Sequence, residues 1–282
     1  MLNQLRQLLS LETKAALSSA FPKLYQLYMR RFVLNTMGLK KYYSKTDDSL
    51  YLGKGIVPMK IVCDPELRGV FNLGFSDIIY PLLPNTDGVM KFPFNEGPYE
   101  LDNVKIANED IVFDCGANVG FFSVMAANHN CTCYAFEPMP PNIKYLKKVV
   151  EVNPHIILVP YAVCDKVGTI QFETSERISC GAKMVSNNIG NNSKVDCLTL
   201  DYFVEKNKIN RVDFIKADVE GAERLLLRGA KSVLKDYSPK ISVCTYHLPD
   251  DSLVLRELIL NANPKYIIEE KYKKMYAYVP QQ

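Results

Sequence analysis

A chain of 282 residues with 48% hydrophobic and 23% charged side chains is long enough for one large domain, or for one domain with a smaller extension, and has ample material for a core. Its formal net charge of +3 is too small to argue for a nucleic-acid partner, no long Lys/Arg run supports one, and none is expected. No apolar run is long enough to span a membrane, the N-terminus lacks the apolar block of a signal peptide, and the eight cysteines are scattered without zinc-ligand spacing, so the composition reads as a cytoplasmic protein with reduced thiols.

Residues 1 to about 45 are predicted helical. Phe21, Leu24, Tyr25, Tyr28 and Phe32 recur at helical spacing, and Pro22 suits a first turn. Such an apolar stripe ordinarily covers the main domain. Arg30, Arg31, Lys40 and Lys41 make the stretch basic, and a basic amphipathic helix also suits peripheral contact with a membrane surface or an acidic partner. Residues 46–100 are punctuated by Gly and Pro around short β-like runs at 56–62 and 70–73. They read as small antiparallel strands packed over the mouth of the main sheet. Tyr99 and Glu100 come just before the first core strand, which sets their loop near the pocket.

From residue 110 the pattern turns regular. Strand 111–115 leads to a helix over 119–128. Strand 132–136 leads to a helix opened by Pro140 and Pro141, with Ile143, Leu146 and Val150 on one face. A strand over 156–163, a turn at 165–168 and a short strand at 169–173 precede a polar loop at 186–194, which is either a cover for the site or solvated filler. Strand 212–217 runs into a helix carrying Leu225, Leu226 and Leu227 that closes near Gly229. Strand 240–245 ends at Tyr246 and His247, a helix follows over about 251–261, and 266–270 and 275–279 form a terminal hairpin turning at 271–274. Strands alternating with helices predict an α/β fold with a doubly wound, mainly parallel sheet, into which the hairpin places one antiparallel strand. The chain divides into a helical and irregular β extension, 1–95, and a main domain, 96–282.

The chain is organised around Ile111-Val112-Phe113-Asp114-Cys115-Gly116-Ala117-Asn118-Val119-Gly120, a buried strand followed by a glycine turn and the start of a helix. Gly116 and Gly120 permit a sharp turn and a close ligand, and the helix start favours a negative group such as a carboxylate. The glycines are spaced G-x-x-x-G, with Asn118 between them, rather than as the G-x-G-x-x-G of a dinucleotide site. Asp114 at the strand tip would repel a pyrophosphate and suits an amino group or a sulfonium. The second strand ends in Phe136-Glu137-Pro138, with Glu137 placed to accept hydrogen bonds from both hydroxyls of a ribose. An acid at each of two strand tips with a glycine turn between them describes an S-adenosylmethionine pocket.

Three stretches in order, Asp114-x-Gly116-Ala117-Asn118-x-Gly120-x-x-Ser123, Ala135-Phe136-Glu137-Pro138 and Ile215-Lys216-x-Asp218-Val219-Glu220-Gly221-Ala222-Glu223 with Leu227-x-Gly229-Ala230, resemble the FkbM-type methyltransferases over about 95–250. The resemblance implies a seven-stranded Rossmann-like methyltransferase sheet, S-adenosylmethionine as methyl donor, and a hydroxyl acceptor on a sugar, glycan or related small molecule. It implies that Asp114, Gly116, Asn118 and Gly120 hold the methionine end, that Glu137 with Pro138 takes the ribose, and that Ala162 and Val163 flank the adenine. The residues before about 90 lie outside the matched motifs and are expected to help set the acceptor.

Methyl transfer to a hydroxyl benefits from a general base beside the reacting oxygen. Asp218, Glu220 and His247, from the tips of adjacent predicted strands, are the candidates. Asp218 ranks first because it lies in the matched motif, and a neutral His247 would lose rate as it protonates below about pH 6.5. Glu223 reads as surface or packing. Asp218 with Glu220 lacks a third metal ligand in the local sequence, so no metal is expected. Two other classes remain: a module that binds S-adenosylmethionine without transferring its methyl group, and a nicotinamide dehydrogenase, which Asp114 and the glycine spacing disfavour.

Overall fold

The computed structural model describes residues 21–36, 38–67, 98–173 and 192–280. Helix α1 (Pro22–Arg31) begins with proline in its first turn, where the missing N–H has no partner to lose, and continues into a π-helical turn, Phe32–Thr36, and a 3₁₀ turn, Leu39–Tyr42. An antiparallel sheet of β1 (Tyr43–Ser44), β2 (Ser49–Leu52) and β3 (Gly55–Pro58) follows, then the single turn α2 (Met59–Val62). The run at 56–62, predicted as one strand, is therefore half strand and half helix, with Pro58 at the junction. The run at 70–73 lies outside the described residues.

The regular alternation begins at β4 (Ile111–Cys115), α3 (Phe121–Asn128), β5 (Thr132–Phe136), α4 (Pro140–Val150) and β6 (Ile156–Val159). After β7 (Ala162–Val163), β8 (Gly168–Glu173), β9 (Asn192–Leu198) and α5 (Leu200–Asn207), it resumes with β10 (Phe214–Ala217), α6 (Glu223–Arg228), α7 (Lys231–Asp236), β11 (Lys240–Cys244) and α8 (Asp251–Ala262), and closes with the hairpin β12 (Ile267–Lys271) and β13 (Lys274–Tyr278). The main sheet has seven strands in the order β12-β13-β11-β10-β4-β5-β6. The contacts β11–β10–β4–β5–β6 are all parallel, and β13 is antiparallel to both of its neighbours. This is the doubly wound sheet with one antiparallel strand that the sequence predicts. The crossover between β6 and β10 returns the chain to the middle of the sheet, so the strand order reverses at β4, and ligand crevices of open α/β sheets form at such a point.

Alternate residues of the strands feed two cores. On one face Val112, Cys133 and Ala135 pack with α3, α4, Met29, Val33, Leu39, Leu50 and Val57. On the other, Phe113, Ile215, Ala217 and Val243 pack with α5, α6, α7 and α8. Residues 121–127 of α3 are buried all round, as expected for a helix held between the sheet and a further layer. In α4 the buried face is Asn142, Tyr145, Leu146 and Val149; of the predicted Ile143, Leu146 and Val150, Leu146 is fully buried, Val150 packs at the edge of the core and Ile143 is half-buried.

Two expectations about the N-terminal part change. The apolar stripe of α1 is rotated: Met29 and Val33 are buried and Tyr25, Tyr28 and Phe32 pack against the core, whereas Leu24 is 65% exposed and Phe21 also faces outward. Arg30, one of the basic residues, is turned inward to Asp48, whose Oδ1 also accepts from Tyr43 at 2.6 Å. The β1–β3 sheet does not lie over the mouth of the main sheet. Ile56 N donates to Asn153 Oδ1 at 2.7 Å, and Asn153 Nδ2 donates back to Ile56 O at 2.7 Å. Lys54 N donates to Asn128 Oδ1, and a Cβ on Gly55 would stand 2.5 Å from Val124 O. These contacts sit at the C-terminal ends of α3 and α4, which return to the opposite end of the sheet from the strand tips.

The predicted strand over 156–163 is two strands in different sheets. Pro160, which has no N–H for a ladder, breaks it, and Ala162 and Val163 pair instead with Cys197 and Leu198 of β9. The sequence reading lacks β9 and α5. Residues 186–191 of the predicted polar loop lie outside the described residues, and 192–194 open β9. No helix among the described residues is long and apolar enough to cross a membrane. The packing predicts that Met29→Ala, at a buried position of α1, lowers unfolding free energy by about 2–5 kcal/mol. Leu24→Ala, on the exposed side of α1, should stay within about 0.5 kcal/mol. Urea denaturation of the two variants checks this, and a reversed ranking would place the wrong face of α1 on the core.

Candidate active site

The strand tips are laced together one residue beyond each strand. Phe136 O accepts from Gly116 N at 3.0 Å and Ala117 N at 2.9 Å, Val159 O accepts from Glu137 N at 3.1 Å, and Cys115 O accepts from Asp218 N at 3.1 Å. These bonds fix the turn 116–120, in which Gly116 (φ 81°), Asn118 (φ 53°) and Gly120 (φ 89°) are all left-handed. A Cβ on Gly116 would stand 1.9 Å from Asp218 O, so the close approach that demands glycine there is made by the chain itself. Gly120 faces Leu146 of α4 and supplies no side-chain cap to α3.

Glu137 sits under this turn, 4% exposed. Its Oε2 accepts from Asn118 N at 2.8 Å, and its Oε1 accepts from Met139 N at 2.9 Å and Asn142 Nδ2 at 3.2 Å. Three donors on two oxygens leave room for a further hydrogen bond on Oε2. Burial pushes the carboxyl up to about 7, although the Met139 and Asn118 N–H groups favour its charge. The Asn118 Oδ1 is buried and has no hydrogen-bond partner among the described residues. Pro138 is half-buried beside Glu137. Ala162 and Val163 are buried beyond β6, in the smaller sheet.

Asp114 lies beneath the crevice rather than at its surface. It is fully buried, with Lys216 Nζ 3.1 Å from Oδ1 and Ser123 Oγ donating to Oδ2 at 2.6 Å. Lys216 comes from β10, in register with Asp114 on β4, and also donates to Gly116 O at 2.7 Å. Burial alone would lower the Lys216 ammonium, but Asp114 and then Asp218 hold it well above the usual range. The Tyr99 ring lies 5.2 Å from Lys216 Nζ and 4.4 Å from Lys274 Nζ, and its hydroxyl donates to Asp218 Oδ2 at 2.6 Å. Tyr99, just before β4, is thus held against Asp218, Lys216 and Lys274 at the strand tips. Glu100 beside it accepts the Ile106 N–H of its own loop at 2.6 Å.

The structure brings Asp218, Glu220 and His247 together and adds Glu223. His247 has a side chain 6% exposed, with Glu223 Oε1 2.9 Å from Nδ1, Glu220 Oε2 3.3 Å from Nε2 and Asp218 Oδ1 3.8 Å from Nε2. Burial alone would strip the ring proton, but Glu220, Glu223 and Asp218 push the imidazole up to about 10. A ring that holds its proton at neutral pH is no proton acceptor, so the expected loss of rate below pH 6.5 does not suit this environment. Burial opposes the charge of Asp218, yet Lys216, the Tyr99 hydroxyl and His247 keep its carboxyl below the usual range. Glu220 is left-handed, φ 54°, a conformation that costs a non-glycine residue energy and that holds its carboxylate at the ring.

Glu223 and Lys216 are the residues the sequence reading missed. Glu223 is fully buried and accepts Val219 N at 2.9 Å and Gly221 N at 3.0 Å, tying the loop that carries Asp218 and Glu220. The signal for Lys216 was present, since a lone charge inside each of two apolar strands, Asp114 and Lys216, asks for a partner. The strand pairing that makes them partners is not visible in one sequence.

Residues 114–277 match the family described as Methyltransferase FkbM domain. The hexuronic acid methyltransferase AglP of Haloferax volcanii is 27% identical over 134 residues, 45% of this chain and 52% of that protein, so the chain spans about half the length of the curated relative it matches. Among solved structures, a methyltransferase FkbM from Methylobacillus flagellatus KT aligns with a TM-score of 0.48 at 16% identity, covering 90% of this chain and 62% of that one. Fibrillarin of Aeropyrum pernix, solved with natively bound S-adenosyl-L-methionine, aligns with a TM-score of 0.39 at 14% identity, covering 61% and 67%.

Glu137 yields a pH prediction. Its folded-state value of about 7 lies above the ordinary 4.5, so its stability contribution is fully present below about pH 4.5 and is lost as pH rises through 7. At about 1.4 kcal/mol per pH unit between the two values, the loss is roughly 3 kcal/mol. Glu137→Ala removes the group, so the stability gap between wild type and variant should narrow by that amount from pH 4.5 to pH 8 in urea titrations. A gap constant over that window would show that the carboxyl titrates normally.

Proposed function

The chain belongs to the FkbM methyltransferase family, and on that premise we propose that it transfers the methyl group of S-adenosylmethionine to a hydroxyl of a sugar or glycan. The observation that carries the cofactor part is the pair at the turn, Asn118 Oδ1 buried without a partner among the described residues and Glu137 with acceptor capacity to spare. Two acceptors beside an uncapped helix start suit a ligand with an ammonium, a carboxylate and ribose hydroxyls. In this reading Gly116, Asn118 and Gly120 shape the methionine end, Asp114 supports them through Lys216, Glu137 with Pro138 takes the ribose, and Ala162 and Val163 border the adenine. Tyr99 and Glu100 close the near side. The unit that does this is 96–282.

Chemically, methyl transfer is an in-line displacement in which the acceptor oxygen attacks the methyl carbon as the carbon–sulfur bond breaks, and the hydroxyl proton leaves. Most of the rate comes from alignment. Asp218, ionised and 20% exposed between Tyr99 and His247, is the residue placed to accept that proton, while the charged His247 and Glu220 orient it. The sugar acceptor is supported by the match to the hexuronic acid methyltransferase, whose name states its substrate class.

The test is methyl transfer from labelled S-adenosylmethionine to a panel of neutral and uronic-acid sugars, with release of S-adenosylhomocysteine as the readout. Asp218→Asn should lower turnover by about 10²–10⁴ with little change in cofactor affinity. Glu137→Ala should weaken calorimetric cofactor binding by about 1.5–3 kcal/mol. Cofactor retained with no S-adenosylhomocysteine released for any sugar would identify a binding module instead.

A further inference from the structure

We propose that the outward face of α1, with the basic residues that follow it, docks on a membrane surface rich in anionic lipid. Phe21, Leu24 and Leu27 are 57%, 65% and 66% exposed, so three large apolar side chains within residues 21–27 stand mostly in water. Single exposed apolar residues are ordinary, whereas a cluster of them marks a contact surface. The inward face of the helix is already covered, since Met29 and Val33 are buried and Tyr25, Tyr28 and Phe32 pack on the core. Side chains this exposed form a raised ridge rather than the floor of a groove.

Charge decides what covers the ridge. Lys23 stands one turn before Leu27 and Arg31 one turn after it, so both share its side of the helix, and both are exposed. Lys40 and Lys41 are exposed in the 3₁₀ turn beyond, and exposed Lys45 follows. No Asp or Glu occurs from Thr13 to Thr46. The next acids are engaged, Asp48 by Arg30 and Tyr43 and Asp47 by Tyr51. Asp64 and Glu66 come near with the 3₁₀ turn Pro65–Leu67, which meets α1 from the core side through buried Leu67.

An anionic bilayer surface satisfies both features at once. Its headgroups take the ammonium and guanidinium groups, and Phe21, Leu24 and Leu27 enter the acyl boundary beneath them. The aliphatic stems of Lys23 and Arg31 let their charges reach the headgroups from beside the buried leucines. An acidic protein would need a groove shaped to the ridge, whereas a fluid surface yields to it. No helix among the described residues is long and apolar enough to cross a membrane, so the contact made by α1 is peripheral. The proposal does not depend on the methyl-transfer reading.

The test is sedimentation of the full chain with vesicles of phosphatidylcholine, alone or with phosphatidylserine added. Binding is expected to the anionic vesicles and should weaken as salt is raised. Lys40→Ala with Lys41→Ala should lower the partition coefficient roughly 30-fold. Leu24→Ser with Leu27→Ser should lower it at least about tenfold. Both pairs alter outward side chains, so their urea midpoints should stay at the wild-type value. Wild-type binding that is indifferent to phosphatidylserine, or double variants that bind as the wild type does, overturns the proposal. So does a wild type that ignores both kinds of vesicle, and its retention on immobilised polyglutamate would then assign the face to an acidic protein. A leucine variant that loses stability, with no vesicle binding by the wild type, would show instead that the chain covers its own ridge.

Discussion

Lys216 on β10 and Asp114 on β4 stand in register on neighbouring parallel strands, both in the interior, 3.1 Å apart. Removing two charges from water is costly, and a pair in this position holds only because each partner also has further hydrogen bonds. Asp114 has Ser123, and Lys216 has the carbonyl of Gly116. The consequence reaches both halves of the crevice. Through Ser123 and Gly116 the pair fixes the turn and the start of α3. Through β10 it fixes the next residues of the chain, where Asp218 meets Tyr99 and His247. Gly116 closes the circuit, since only a residue without Cβ lets Asp218 O approach that turn.

Much of this was legible in the sequence. The strands at 111–115 and 132–136, the helices that follow them, the terminal hairpin and its single antiparallel strand all follow from apolar runs punctuated by Gly, Pro and charged turns. Those signals are local. The failures are cases in which tertiary contact overrides a local signal. The stripe of α1 was read too wide: Tyr25, Tyr28 and Phe32 do pack on the core, but Phe21 and Leu24 share their helical period and stay exposed, and only packing decides how far the covered side extends. The strand at 156–163 divides because Pro160 ends one ladder and Ala162 joins another sheet. β9 alternates buried Val195 and Cys197 with exposed Lys194 and Asp196, a strand pattern hidden behind a polar lead-in.

For the site, residue identities were readable but their tasks were not. Asp114, Glu137, Asp218, Glu220 and His247 all come to the strand tips, where the sequence set them. Yet Asp114 supports the turn from below, and His247 meets three carboxylates that keep it charged. A single chain does not reveal that Glu223, three residues past Glu220, turns inward to the same ring. The site therefore has two chemically distinct ends. One, at Asn118 and Glu137, offers hydrogen-bond acceptors. The other, at Asp218, Glu223 and His247, concentrates negative charge. In the proposed reaction a donor bearing a positive sulfonium lies between them, with the acceptor on the acidic side.

The dependence on the buried pair can be measured directly by a double-mutant cycle in chemical denaturation. Lys216→Met alone should cost about 3–5 kcal/mol, because it strands a buried carboxylate. Asp114→Leu with Lys216→Met should recover most of that loss while still disordering the turn. Lys216→Met with wild-type stability and wild-type binding of S-adenosylmethionine would contradict the claim that this pair holds the crevice together.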